Sequence, residues 1–264
     1  MGVINVTPDS FSDGGRFVAR DAAVDLGRVA ESAQAMLEAG AAVLDVGGES
    51  TRPGAAAVSE AEETRRVMPV LERLLDLDAV ISLDTSKPEL AARALASGVH
   101  LVNDVGGGRD PRMLEVLAAS TGAYCVMHMQ GEPRTMQQDP QYRDVVTEVR
   151  DFLAARVADC ERAGISRERL LIDPGFGFGK TLAHNLALLR ALPALRVAGT
   201  ALLVGLSRKR MIGAITGREV GQRAAGSAAA ALLAAERGAD VVRVHDVAET
   251  ADALQVLASI TDYG

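Results

Sequence analysis

The stretch Gly2-Val3-Ile4-Asn5-Val6-Thr7-Pro8-Asp9-Ser10-Phe11-Ser12-Asp13-Gly14-Gly15 decides how this chain is read. Gly2, Val3 and Ile4 are apolar, two of them β-branched, and predict a short buried strand. The strand then places a polar side chain, Asn5, where burial favours another apolar one. A loop of Pro, Asp, Ser and Gly follows, carrying one large apolar residue, Phe11. A buried strand that ends on a polar side chain and opens into such a loop is how α/β enzymes present chemistry.

The same unit recurs along the chain. Strands are expected at Gly2–Val6, Ala42–Val46, Val80–Leu83, Leu101–Val102, Ala123–Met127, Leu170–Ile172, Ala201–Val204 and Val241–Val244. Amphipathic helical patterns separate them, at about Asp21–Ala39, Ala61–Leu75, from Pro88, from Pro111, Tyr142–Ala163 and Ala183–Leu192. A helical region after the seventh strand breaks near Gly217–Gly221 and resumes to Arg237, and a last helix runs from Val247 to about Ile260. Regular alternation of this kind requires parallel strands, because each return needs a crossover. Eight units in 264 residues predict one α/β domain over residues 1–264, a (β/α)8 TIM barrel, with a doubly wound open sheet as the other arrangement to consider.

Composition narrows the functions available. Apolar residues make up 48%, ordinary for a globular chain, and with no Trp and 3% aromatics the core falls to Ala, Val and Leu. A net charge of −7 argues against nucleic-acid binding through a broad basic face. Cys125 and Cys160 supply neither a disulfide framework nor a zinc site and are expected as buried thiols. No run reaches a membrane span and no secretory signal is visible, so a cytoplasmic location is expected.

The expected strands end on polar residues. In chain order these are Asn5; Asp45, with Glu49 to Arg52 beyond; Asp84; Asn103 and Asp104; His128; Asp173; Ser207 and Lys209; Arg243 and His245. Each costs a few kcal/mol if buried unsatisfied. On all eight strands they form a ring at the barrel mouth where catalysis occurs in this architecture; the plainer alternative is a set of hydrogen-bonded caps with no ligand. Gly175-Phe176-Gly177-Phe178-Gly179-Lys180-Thr181 imitates a phosphate loop, but Pro174 stands where the first glycine of that motif belongs. No i, i+4 histidine pair and no nucleophilic triad is visible. Gly106-Gly107-Gly108-Arg109 receives no role.

Asp84, Asp173 and Asn103 suit a flat heterocycle with N–H donors and a carbonyl, but equally a metal or an acid–base pair. Arg52, Arg208, Lys209, Arg210, Arg243 and His245 suit a phosphate or diphosphate. Spacing alone stops at a heterocycle bearing a diphosphate.

The stretches Ile4–Gly15, Asp45–Ala55, Ser82–Pro88, Val102–Val105, Met127–Pro133, Leu171–Lys180, Val204–Gly213 and Arg243–Val247 resemble the motifs of the dihydropteroate synthases of folate biosynthesis, over essentially the whole chain. The resemblance implies a (β/α)8 enzyme, a transferase of an alkyl or aryl group, joining 6-hydroxymethyl-7,8-dihydropterin diphosphate to p-aminobenzoate. It implies a pterin pocket of Asp84, Asn103, Met127, Asp173 and Lys209. A diphosphate site of Asn5, Thr51, Arg52, Arg243 and His245 follows, with Asn5 reaching Mg2+. Phe11, Arg52, Pro53, Phe178, Ser207 and Lys209 line the p-aminobenzoate site, where sulfonamides compete in this family. Lys209, Asp84, Arg243 and His245 carry the chemistry, and a homodimer through the last helices is expected. The step expected is an SN1-like loss of diphosphate, with the aminobenzoate carboxylate at a helix N-terminus by Ser207. One departure from the family stands out: the usual hairpin before the first strand is lacking, since Met1 abuts that strand. Two rivals remain, a pterin-binding methyltransferase acting on methylated folate and a non-catalytic pterin-binding homologue.

Overall fold

The computed structural model describes residues 1–7, 24–50, 57–133 and 135–261. Eight parallel strands follow one another around a single sheet in chain order: β1 Gly2–Asn5, β2 Val43–Gly47, β3 Val80–Asp84, β4 Leu101–Asp104, β5 Ala123–Met127, β6 Leu170–Asp173, β7 Ala201–Val204 and β8 Val241–Val242. The sheet closes on itself. Val3 N–H donates to the carbonyl of Val244 at 3.1 Å, and Val244 N–H to that of Met1 at 2.9 Å. The expected eight-unit barrel is therefore the fold, and the open sheet is excluded.

Helices α1 Leu26–Glu38, α2 Glu60–Leu74, α3 Pro88–Ala96, α4 Pro111–Ala118, α5 Val145–Arg162, α6 Leu182–Arg190, α7 Arg210–Thr216, α8 Ala224–Glu236 and α9 Val247–Thr261 surround it. Their boundaries follow local chemistry. Asp25 caps α1, its carboxylate accepting the Arg28 N–H, so the helix starts at Leu26, later than its apolar pattern predicts. Pro88 opens α3 as expected, its missing donor costing nothing in the first turn. Gly217, at φ +69°, ends α7 in the left-handed conformation that glycine tolerates. Among the described residues no helix is long and apolar enough to cross a membrane.

Strand alternation sorts the side chains into layers. Ile4, Leu44, Val46, Ile81 and Leu83 point outward against α1, α2 and α3. Val102, Tyr124, Val126, Ile172, Leu202 and Val204 point outward against the remaining helices. Residues of the other parity fill the barrel. Leu101, Cys125 and Leu203 form an apolar floor with Met1, Ala123, Leu171 and Val241. One pleat higher along the strands, the interior turns polar at Asp45, Ser82, Asn103, Asp173 and Arg243.

This alternation corrects part of the expected ring. Asp104 follows an inward residue and so faces the helices, where it accepts from Tyr124 Oη at 2.7 Å and from the N–H groups of Gly106 and Gly108. It thereby folds the triglycine loop. There Gly107, at φ +64°, lies so close to strand β5 that a Cβ would sit 2.4 Å from the Met127 carbonyl. Tyr124→Phe, which deletes only the phenol donor to a buried carboxylate, should lower unfolding free energy by about 1–3 kcal/mol in urea titration; an unchanged midpoint would show that the two backbone donors suffice.

Candidate functional site

The polar layer is built around Asp45, which is fully buried. One of its oxygens accepts from Arg243 Nε at 2.6 Å and from Asn103 Nδ2 at 3.1 Å, and the other from Ser82 Oγ at 2.5 Å. Arg243 also donates through Nη2 to Asp84 at 2.7 Å. One guanidinium thus ties β8 to β2 and β3, across β1 at the seam of the barrel. Such forked, charge-assisted bonds are the geometry for which Arg is suited. The two carboxylates hold the Arg243 proton more firmly than usual, against the cost of burial. Burial, reinforced by Asp45 and opposed by Arg243, pushes the Asp84 carboxyl up to about 7.

On the opposite arc Asp173 ends β6. Its carboxylate accepts the Gly175 N–H at 2.7 Å, and burial raises its pKa although Lys209 pulls it down. Lys209 caps α7 and reaches back to the Phe176 carbonyl at 2.5 Å, its ammonium 4.7 Å from the centre of the Phe178 ring. Burial, offset by Asp173, lowers its pKa to about 8. Ser207 Oγ accepts from the His245 backbone N–H and contacts its Nδ1, both at 3.1 Å.

Asn5, Asp84, Phe178, Ser207, Lys209, Arg243 and His245 line one cavity of about 710 Å3, within the range of small-molecule sites. Asn103, Met127 and Asp173 are buried beside it and do not form its walls. Met127 packs with Met129 and Met136 against Phe178. Phe11, Thr51, Arg52 and Pro53 lie outside the described residues.

The Pterin binding enzyme family matches residues 1–245 of the chain. A dihydropteroate synthase of Escherichia coli K12 is 48% identical over 258 residues, covering 97% of this chain and 89% of the relative. This chain belongs to the dihydropteroate synthase family. Among solved structures, a Yersinia pestis dihydropteroate synthase in complex with a sulfonamide drug superposes with a TM-score of 0.94 at 46% identity, over 99% of this chain and 94% of that one. A Xanthomonas albilineans dihydropteroate synthase with 4-aminobenzoic acid gives 0.89 at 50% identity, over 99% and 92%. As a member of this family the chain is a transferase, built on the family's barrel.

Three features of this synthase-family site differ from the reading of the strand ends. His128 faces outward, packed edge-on against Phe152, because it follows inward Met127. Arg208 takes a left-handed turn at φ +57° and pairs with buried Asp246, so that it lines the cavity with its charge already partnered. Ser207 precedes the α7 cap by two residues with its hydroxyl engaged by His245, so the expected helix N-terminus at Ser207 is not there. Asp45 is the residue whose weight the sequence understates. Its signal was a carboxylate between Leu44 and Val46, yet nothing local reveals that Arg243, 198 residues away, is its partner.

The Asp84 shift sets a pH dependence. Its folded pKa, about 7, lies above the unfolded 3.8, so the native state keeps a proton that the unfolded chain has lost between those values. Its contribution to stability is complete below about 3.8 and falls as pH rises to about 7. Urea midpoints measured across this window should decline less steeply in Asp84→Asn than in the parent chain; equal slopes would assign the decline to other groups.

Proposed function

We propose that this chain condenses 6-hydroxymethyl-7,8-dihydropterin diphosphate with p-aminobenzoate, giving 7,8-dihydropteroate and diphosphate. The observation that carries the reading is that Asp84, Lys209, Arg243 and His245 line a single cavity, with Asp173 buried behind it, in a chain of the dihydropteroate synthase family.

The residues divide into roles on chemical grounds. Asp84 accepts from the amino and ring N–H edge of the pterin and Lys209 donates to its carbonyl or ring nitrogen, while Asp173, buried behind the wall, is assigned to the same edge by family resemblance. Arg243 and His245 offset charge on the departing diphosphate. The C–O bond from the pterin methylene to diphosphate breaks first, the electron-rich pterin carrying the positive charge. The aniline nitrogen of p-aminobenzoate then forms the C–N bond and loses its proton. No protein nucleophile takes part. Phe178 and Ser207 face the aminobenzoate, and Phe11, Thr51, Arg52 and Pro53 are assigned to the same two substrates by family resemblance.

Mg2+ fits this donor set in one specific way. Among the described residues no three His, Cys, Asp or Glu side chains gather as a metal cage, whereas Asn5 lines the cavity and offers a hard amide oxygen. One such ligand beside phosphate oxygens and water is how Mg2+ is commonly held, so Asn5 would hold an ion brought in with the diphosphate. When bound, Mg2+ neutralises charge on the leaving group.

The methyltransferase reading has no use for the Lys209, Arg243 and His245 set on one wall. Exposed Ile215, Leu233, Val256 and Ile260 on α7, α8 and α9 support the proposed homodimer. Two buried free thiols accord with a reducing, cytoplasmic setting.

Diphosphate should be released when pterin diphosphate, Mg2+ and p-aminobenzoate are supplied at saturation; no release either without or with p-aminobenzoate would refute the synthase reading. Lys209→Ala and Asp173→Ala should each abolish pterin binding in calorimetry, and parent-like affinity in either would void the pterin assignment. A covalent pterin–protein adduct in mass spectrometry would overturn the dissociative step.

A further inference from the structure

The segment Gly175–Lys180, which imitates a phosphate loop in sequence, is its opposite in geometry. A phosphate loop turns backbone N–H groups inward toward an anion. Here the carbonyls of residues 175 to 179 all accept from side-chain donors. Gly175 and Phe178 take Lys180 Nζ, each at 2.9 Å, Phe176 takes Lys209, Gly177 takes Gln137, and Gly179 takes Tyr142 Oη at 2.9 Å. Lys180 is 3% exposed, and the third short contact of its ammonium is the His128 ring Nδ1 at 2.9 Å. An ammonium has three donors, and all three are met by neutral acceptors. A buried cation without an adjacent carboxylate is costly, so its retention calls for a reason.

The surroundings supply one. Gly175 at φ +67° and Gly179 at φ +60° lie against the backbone after β5, where a Cβ would stand 1.9 Å from the His128 carbonyl and 2.4 Å from that of Gln130. The loop is therefore laid on a neighbouring backbone with no side chain between them, and Lys180 ties the two together through its bonds to the loop carbonyls and to His128. Its upper surface carries the Phe178 ring and the Phe176 carbonyl, both of which hold the Lys209 ammonium.

We propose that Lys180 is a positioning residue, its own ammonium filling a cage of carbonyls as a bound cation would, so that the loop presents Phe178 and Lys209 to the p-aminobenzoate. The proposal rests on the synthase reading for its substrate but not for its geometry. Lys180 borders the same cavity, but its ammonium is taken up by the loop carbonyls and the His128 ring. It acts through the loop.

The chain has no Trp, so Phe178→Trp places a single fluorescent reporter on this loop. In that background Lys180→Met, which keeps the length of the side chain and deletes the ammonium, should shift emission to the red. In the otherwise native chain Lys180→Met should raise the KM for p-aminobenzoate by about tenfold or more, with kcat changed less, as expected when a remote substitution displaces a binding wall. Unaltered emission together with a KM within twofold of the parent (roughly the scatter of such comparisons) would overturn the proposal. A loss confined to kcat would overturn it as well. If Lys180→Met does not fold, His128→Leu removes one acceptor from the cage and should move both readouts in the same direction to a smaller extent; no movement in either would be the contrary result. A parent chain that releases no diphosphate would remove the synthase reading and leave the emission measurement to judge the cage alone.

Discussion

Arg243 holds two buried carboxylates at once, and the site depends on that arrangement. Asp45 and Asp84 are inside a barrel, where an unpaired charge would be expensive. The guanidinium is tied to both, and through Asp45 to Ser82 and Asn103. The network spans β2, β3, β4 and β8, so the seam of the sheet and one side of the pocket share a single set of bonds. A side chain proposed to meet a diphosphate is thereby kept in place by groups that never leave the protein. Stability and chemistry draw here on the same residues, which is why the mouth of such a barrel is polar while its floor, from Met1 to Leu203, is apolar.

The other half of the pocket solves a different problem. Lys209 must present a cation toward a buried carboxylate, Asp173, without collapsing onto it. The loop after β6 prevents this by offering the ammonium a carbonyl and an aromatic face, and the ordinary pKa of Lys209 falls as a consequence of burial. Two lysines thus bond carbonyls of one loop, Lys209 that of Phe176 and Lys180 that of Gly175. Burial lowers Lys180 to about 7, opposed by Asp173 and added to by repulsion from Lys209. Neighbouring charges and low dielectric act together in such places, and functional sites are where they collect.

The fold was legible because its signal is repeated. Eight short apolar runs, each closing on a polar residue, specify parallel strands and a barrel without reference to any one of them. The site was legible in part for the same reason: Asn5, Asp84, Asp173, Ser207, Lys209, Arg243 and His245 all follow runs that are apolar for reasons of burial. The errors came from adjacent positions. Asn103 and Asp104, or Met127 and His128, are neighbours in sequence and lie on opposite faces of the sheet, a distinction of one pleat that composition cannot make. Ser207 lines the cavity, but the helix expected to begin there is capped only at Lys209, after the left-handed turn at Arg208.

Strand count, parallel order, the helix punctuation at Pro88 and Gly217, and the family to which the chain belongs can all be read from the order of residues. Those follow from period, propensity and motif, which are local properties. The closed barrel settles which polar side chains share its interior, that Asp45 is the hub while Asp104 faces the helices, and that the phosphate-loop lookalike offers its carbonyls to side-chain donors, two of them to its own lysine. Partners as far apart as Asp45 and Arg243, or His128 and Lys180, meet because closing the sheet brings strand ends to one mouth. Their energies arise there, from burial and charge pairing that no stretch of the chain possesses alone.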